Sequence, residues 1–186
     1  MALKSTIFKA DLQLADLDRG YFAEHALTLA RHSSETDERM MVRLLAFALN
    51  ASPTLAFGRG LSTEDEADLQ DVDATGAIEC WIDVGLPDEK DIRRACNRAR
   101  QVVVLAYGGR SADIWWQQTA AKVGGQKNLR VLQLAAEEGK ALASLAERGM
   151  KLQCTIQDGI VWLGSDRRQV ELHPAVLRAV MTPDGC

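Results

Sequence analysis

Cysteine is scarce in this sequence: four residues, Cys80, Cys96, Cys154 and Cys186, scattered without a C-x-x-C pair. That spacing suggests neither a structural zinc site nor a thioredoxin-like motif, and buried structural thiols are the plain expectation, with Cys186, the last residue, exposed. No apolar run approaches the ~18 residues of a membrane span, so no membrane association is expected. Residues Met1 to Ile7 show no long apolar segment after Lys4, so no signal peptide is read and a cytoplasmic location is expected. The three histidines, His25, His32 and His173, have no ligand spacing and form no triad with a G-x-S-x-G serine. Positive charge is also in deficit. With 22 Lys and Arg against 26 Asp and Glu, the net charge is −4, which argues against coating nucleic acid by bulk electrostatics. A local basic face remains open.

What is present suits one core. The chain has 186 residues, 47% hydrophobic and 26% charged, an ordinary globular balance. Residues Thr6 to Leu14 alternate, with Phe8, Ala10, Leu12 and Leu14 on one face, the period of a half-buried strand. A turn over 16–20 returns the chain as a second strand to Ala30. Ser34, with Asp37 three residues on, predicts a capped helix from Glu35 to about Asn50. Strands are expected around Leu55 to Phe57 and, most clearly, from Gly76 to Val84, with a helix from Pro87-Asp88 to about Arg98 or Arg100. Val102-Val103-Val104-Leu105 reads as a strand buried on both faces. A helix carrying Trp115-Trp116, a strand over Leu129 to Leu134 and a helix over Glu137 to Arg148 follow. Asp158-Gly159 then marks a hairpin. The order predicts an α/β domain over residues 1–173: a mixed β-sheet flanked by helices, with β-hairpins near both termini. Residues 174–186 read as a tail or a short helix.

Several side chains are candidates for chemistry. Residues Glu64 to Asp73 are the most acidic stretch and include Asp68. Glu79 and Asp83 share the polar face of the best strand, but four residues separate them by ~13 Å. They cannot both ligate one metal ion. Glu38 lies in the helical row of Val42, Leu45 and Leu49, so it leans inward and needs an ion or an arginine partner, while Arg39 and Arg43 lie off that row. Lys90, Arg94 and Arg98 form a basic stripe that could follow a phosphate backbone, although helix-dipole electrostatics explains much of it. Tyr107-Gly108-Gly109-Arg110 is no P-loop. It reads first as a tight strand–helix turn, and less readily as an anion site for a small phosphorylated ligand.

Longer runs identify a resemblance. They are Asp18-Arg19, the stretches from His25 to His32 and from Ser34 to Leu49, Gly60-Leu61-Ser62, and Trp81-Ile82-Asp83-Val84-Gly85 with Pro87-Asp88-Glu89-Lys90. Tyr107-Gly108-Gly109-Arg110, Asp113-Ile114-Trp115-Trp116 and the stretch from Leu152 to Gly159 complete them. Together they resemble the YaeQ family of small bacterial proteins, over nearly all the chain to about Leu172. The resemblance implies a variant of the PD-(D/E)XK nuclease-like (restriction endonuclease-like) fold, in which carboxylates gather around Mg²⁺ and a metal-activated water cleaves a phosphodiester. By position it implies Glu38 (or Glu35), Asp68, and Glu79 or Asp83 as metal ligands. The pattern is imperfect: Ala67 stands where proline is expected, and Trp81 or Gly85 where the lysine is. Lys90 would serve as a displaced catalytic lysine, with Arg94, Arg98 and Arg110 toward nucleic acid.

The expectation is therefore a nuclease-like protein with a degenerate Mg²⁺-dependent acidic site that binds or cleaves nucleic acid; if active, it is a metal-dependent phosphodiesterase. The alternative is a binding or regulatory module, with a protein partner, that keeps the fold without activity. Convergence of Glu38, Asp68 and one of Glu79 or Asp83 within ~5 Å, as a shared divalent ion requires, discriminates the two.

Overall fold

A computed structural model describes residues 4–58 and 65–181; Gly60-Leu61-Ser62, Glu64 and Cys186 lie outside the described residues. The chain opens with two long strands, β1 (Thr6–Asp16) and β2 (Tyr21–Arg31), and then the helix α1 (Asp37–Asn50). Strands β3 (Ala56–Phe57), β4 (Leu69–Val72) and β5 (Ile78–Val84) precede α2 (Glu89–Arg98). Next come β6 (Ala99–Ala106), α3 (Arg110–Thr119), β7 (Leu129–Gln133) and α4 (Ala136–Ala143). The chain closes with β8 (Gly149–Gln157), β9 (Ile160–Gly164), β10 (Gln169–Leu172) and β11 (Ala175–Arg178).

These strands build two mixed sheets rather than the one expected, in the orders β10-β9-β8-β1-β2 and β11-β7-β6-β5-β4-β3. The two terminal hairpins join each other. Strands β1 and β8 pair in parallel, Lys9 opposite Gly149 through Asp16 opposite Ile156, a contact across most of the chain that local periodicity cannot register. The hairpin at Asp158-Gly159 forms as expected, with φ of 54° and 75° at the two turn residues, the left-handed pair that a two-residue turn between twisted strands requires.

Helix α1 lies in the main core with both sheets. Leu12 and Leu29 come from the first sheet, Leu44 and Leu45 from α1, and Ile82 and Leu105 from the second. Every residue from Met40 to Ala48 is buried. A second core on the other face of the second sheet joins Trp81, Val102, Val104 and Val131 to Ile92 of α2, with Trp115 and Trp116 of α3 against it. Strand β6 is therefore buried on both faces, as its run of valines predicts.

Three local expectations are corrected. The cap of α1 is Thr36, whose side chain accepts from the backbone N–H of Arg39, and not Ser34. Helix α4 ends at Ala143 instead of near Arg148, because Ser144 N–H turns back to the carbonyls of Lys140 and Ala141. The tail begins as β11, antiparallel to β7, since an edge of the second sheet still had backbone groups to satisfy. No described helix is long and apolar enough to cross a membrane.

Candidate functional site

The carboxyl end of β5 is where the sequence candidates partly meet. Strands β5, β6 and β7 run parallel, and in such sheets the crevice beyond the strand ends is the usual ligand position. Gly85 leaves β5 with φ of 103°, a left-handed turn that suits glycine, and its N–H bonds to the Leu105 carbonyl. Leu86 and Pro87 then lead to Asp88, whose side chain caps α2 through the N–H groups of Lys90 and Asp91. This detour leaves a cleft of about 320 Å³ lined by Arg39, Glu66, Asp68, Trp81, Asp83, residues 84–87, Asp91, Arg94 and Ala95.

At its inner wall sits a chain of ion pairs. Strand β4 runs antiparallel to β5, so Asp68, just before it, lies beside Val84, and Asp68 Oδ2 accepts the Val84 N–H at 2.8 Å. Asp68 Oδ1 accepts from Arg39 Nη2 at 2.7 Å. Arg39 Nη1 reaches Glu35 Oε1 at 3.0 Å, the i,i+4 geometry of a helix entry. Glu35 is bound again by Arg43, Nε to Oε1 at 2.8 Å and Nη2 to Oε2 at 2.8 Å. The Glu35 side chain is 3% exposed and that of Asp68 10%. Burial disfavours the Arg39 charge, but Asp68 and Glu35 outweigh it and raise its pKa.

Asp83 is the second carboxyl of the cleft. Its Oδ2 accepts from the Trp81 indole Nε1 at 2.9 Å. Burial pushes its pKa up to about 6 and the neighbouring Asp68 and Asp91 charges add to the rise, while the Trp81 indole N–H and the Asp68 backbone N–H pull the other way.

The other sequence candidates, Arg94 excepted, stand outside the cleft lining. Glu38 turns its carboxylate toward α4, where a Cβ on Gly139 would stand 2.3 Å from Glu38 Oε1. Glu79 pairs with Arg100 at 3.3 Å near the start of β5. Lys90 is exposed, on the first turn of α2, and is not among the lining residues. Arg94 lines the cleft and pairs with Asp91 at 3.3 Å. Arg98 stacks 5.1 Å over the Trp81 ring and donates to the Asp65 carbonyl, and Arg110 is exposed at the start of α3. The turn before it, with φ of 112° at Gly108 and 60° at Gly109, is a tight strand–helix junction.

Among the described residues, no three His, Cys, Asp or Glu side chains gather as a metal ion needs. A divalent ion does not fit this donor set as it stands, because a guanidinium already lies between Glu35 and Asp68. The described cysteines offer no thiol chemistry either: burial pushes Cys80 and Cys96 to about 11 and Cys154 to about 12, leaving almost no thiolate near neutrality.

Arg39 is not among the site residues that the sequence pattern singles out. Its signal was the spacing Glu35, Arg39, Arg43 at i, i+4 and i+8, two arginines entering an otherwise apolar helix.

Comparison with known proteins agrees with this architecture. Residues 1–174 match the family model described as YaeQ protein. The chain is 46% identical to "Uncharacterized protein YaeQ" of Escherichia coli (strain K12), and 49% identical to the protein so described from Salmonella typhi, each over 173 residues that span 93% of this chain and 96% of the relative. The crystal structure of the YaeQ protein from Xanthomonas axonopodis pv. citri superposes with a TM-score of 0.92 at 51% identity, covering 95% of this chain and 99% of that one. That from Pseudomonas syringae gives 0.90 at 35%, covering 96% and 98%.

Proposed function

The chain belongs to the YaeQ family, and from that premise we propose that it is a binding module on a nuclease-like α/β core, holding a ligand in the Arg39–Asp68–Asp83 cleft without cleaving it. The observation that carries this reading is the state of Asp68. Both of its oxygens are already bonded within the protein, to Arg39 and to the Val84 N–H, and neither Glu38 nor Glu79 lines the cleft with it. The order α1, β4, β5, α2, β6 supports a distant relation to the PD-(D/E)XK core. Its catalytic requirement, carboxylates open to a common metal, has no such support.

The charge of the cleft bears on the ligand. Four carboxyl groups, Glu66, Asp68, Asp83 and Asp91, face two guanidinium groups, Arg39 and Arg94. A bare phosphate backbone would meet net repulsion there, so a partner that offers hydrogen-bond donors fits better than nucleic acid.

The competing reading is Mg²⁺-dependent cleavage, with Lys90 as displaced lysine, and it draws on Asp68 and Asp83 sharing one cleft. The two are separated by incubating the protein with single- and double-stranded DNA and RNA in millimolar Mg²⁺ or Mn²⁺, beside an Asp68→Asn, Asp83→Asn double variant. We expect no cleavage above the level of the double variant. Metal-dependent cleavage by the wild type that disappears in the double variant would overturn the binding-module reading.

A further inference from the structure

Two carboxylates buried side by side need positive charge, and a divalent ion or a guanidinium can each supply it. Here one side chain bridges the two, Arg39 Nη1 lying 3.0 Å from Glu35 Oε1 and Nη2 2.7 Å from Asp68 Oδ1, and Arg43 neutralises Glu35 a second time. The remaining oxygens are committed as well, Glu35 Oε2 to Arg43 and Asp68 Oδ2 to the Val84 N–H. Arg39 is covalently tethered to the same helix entry that carries Glu35, so its effective concentration at the site is fixed by the chain. A guanidinium also keeps its charge at every accessible pH. An ion arriving from solution must therefore break two charge-assisted hydrogen bonds and then lie beside a permanent cation.

We propose that Arg39 is a resident cation that stands in for a divalent metal and keeps the cleft metal-free, and that replacing it with a neutral side chain converts Asp68, with Asp83 beside it, into a divalent- or trivalent-ion site, while Glu35 stays paired with Arg43. Magnesium–oxygen distances are ~2.1 Å, well short of the hydrogen-bond lengths around Arg39. Asp68 and Asp83 therefore have to close on an ion, and Asp68 can do so only when the Arg39 guanidinium is gone. Arg39 is on this account a positioning residue: it holds Asp68 in a geometry suited to a hydrogen-bonding ligand. The inference rests on the binding-module reading, and its test is independent of the cleavage assay.

Trp81 supplies the probe, since its indole donates to Asp83 at the rim of the proposed ion position. Terbium(III) luminescence excited through tryptophan is titrated on the wild type, Arg39→Gln, Arg39→Lys and the double variant Arg39→Gln, Asp68→Asn, with folding checked by circular dichroism. Arg39→Gln is expected to gain a saturable sensitised signal, competed by Mn²⁺, with an affinity at least tenfold above wild type. Arg39→Lys, which keeps the charge, is expected to stay with the wild type, and the double variant to lose the gain. A folded Arg39→Gln with no gain, or an Arg39→Lys that gains as much, overturns the inference while leaving the binding-module reading standing.

Should Arg39→Gln fail to fold, the wild type alone decides. The Arg39 side-chain N–H resonances of ¹⁵N-labelled protein are expected to be unmoved by millimolar Mg²⁺. A saturable shift of those resonances would mean that the ion displaces or joins the guanidinium, and would overturn the inference.

Discussion

Asp83 shows at the scale of one residue how burial sets chemistry. Its folded-state pKa lies near 6, raised chiefly by burial, from an ordinary value of 3.8. The folded protein therefore holds the proton more tightly than the unfolded chain does. The stabilisation is complete below the unfolded pKa and is lost as pH rises through about 6. At neutral pH the ionised carboxylate is a burden on the fold unless a ligand offers it a donor. We expect the stability difference between Asp83→Asn and the wild type to move in favour of the variant by about 2 kcal/mol between pH 4 and pH 7.5, an order-of-magnitude figure from the linkage of one pKa unit to 1.36 kcal/mol. Urea midpoints at the two pH values measure it. A difference that does not change with pH would mean that Asp83 titrates normally. Alternation puts Asp83 on the same face as Trp81, but that face is packed in the second core and not solvated, and alternation alone cannot tell a solvated carboxylate from a buried one.

Among the elements, α1 carries the clearest lesson. Its apolar stripe is legible in Met41, Leu44, Leu45, Ala48 and Leu49, yet the helix is buried all round from Met40 to Ala48. Row-based reasoning assumes one wet face. The apolar row therefore points to Glu38, which turns to α4, and away from Arg43, which is wholly buried and binds both oxygens of Glu35. A charged residue at the centre of such a helix signals an internal partner, here just outside the helix start. The start itself depends on Thr36, whose hydroxyl accepts the Arg39 N–H at 3.1 Å and so orients the residue on which the cleft depends. Replacing it, Thr36→Ala, is expected to cost about 1 kcal/mol of global stability, the usual value of an N-cap. The loss appears as a lower urea midpoint with an unchanged slope. An unchanged midpoint would assign the cap no energetic role.

At the scale of the whole molecule, two sheets share one central helix, and the last described strand closes an edge. Strand β11 covers β7, Leu177 packs against the outer core, and Arg178 donates to the carbonyls of Gly124 and Gln126. The family match ends at residue 174, so this strand lies just beyond it. Truncation after Pro174 is expected to lower stability by about 2 kcal/mol, from a few hydrogen bonds and one half-buried leucine. It is also expected to raise self-association through the exposed β7 edge. Chemical denaturation and light scattering of the truncated chain check both. A truncated chain equal to the full one in both measurements would make β11 a passive appendage.

Most of the elements follow from the sequence by itself: the alternation of β1, the doubly buried run of β6, the Asp158-Gly159 turn, and a helix between Ser34 and Asn50. These are set within a few residues by periodicity, capping and turn conformation, so they are legible locally. The family, too, was legible, in ordered runs of identity along the chain. Only the tertiary structure decided that the terminal hairpins form a second sheet, that Glu38 and Glu79 stand outside the cleft lining, and that Arg39 joins Glu35 to Asp68. Those outcomes depend on which segments meet across long stretches of chain. A strand's partner and a carboxylate's counter-ion are chosen by packing in three dimensions, and side-chain spacing along one element carries no record of that choice.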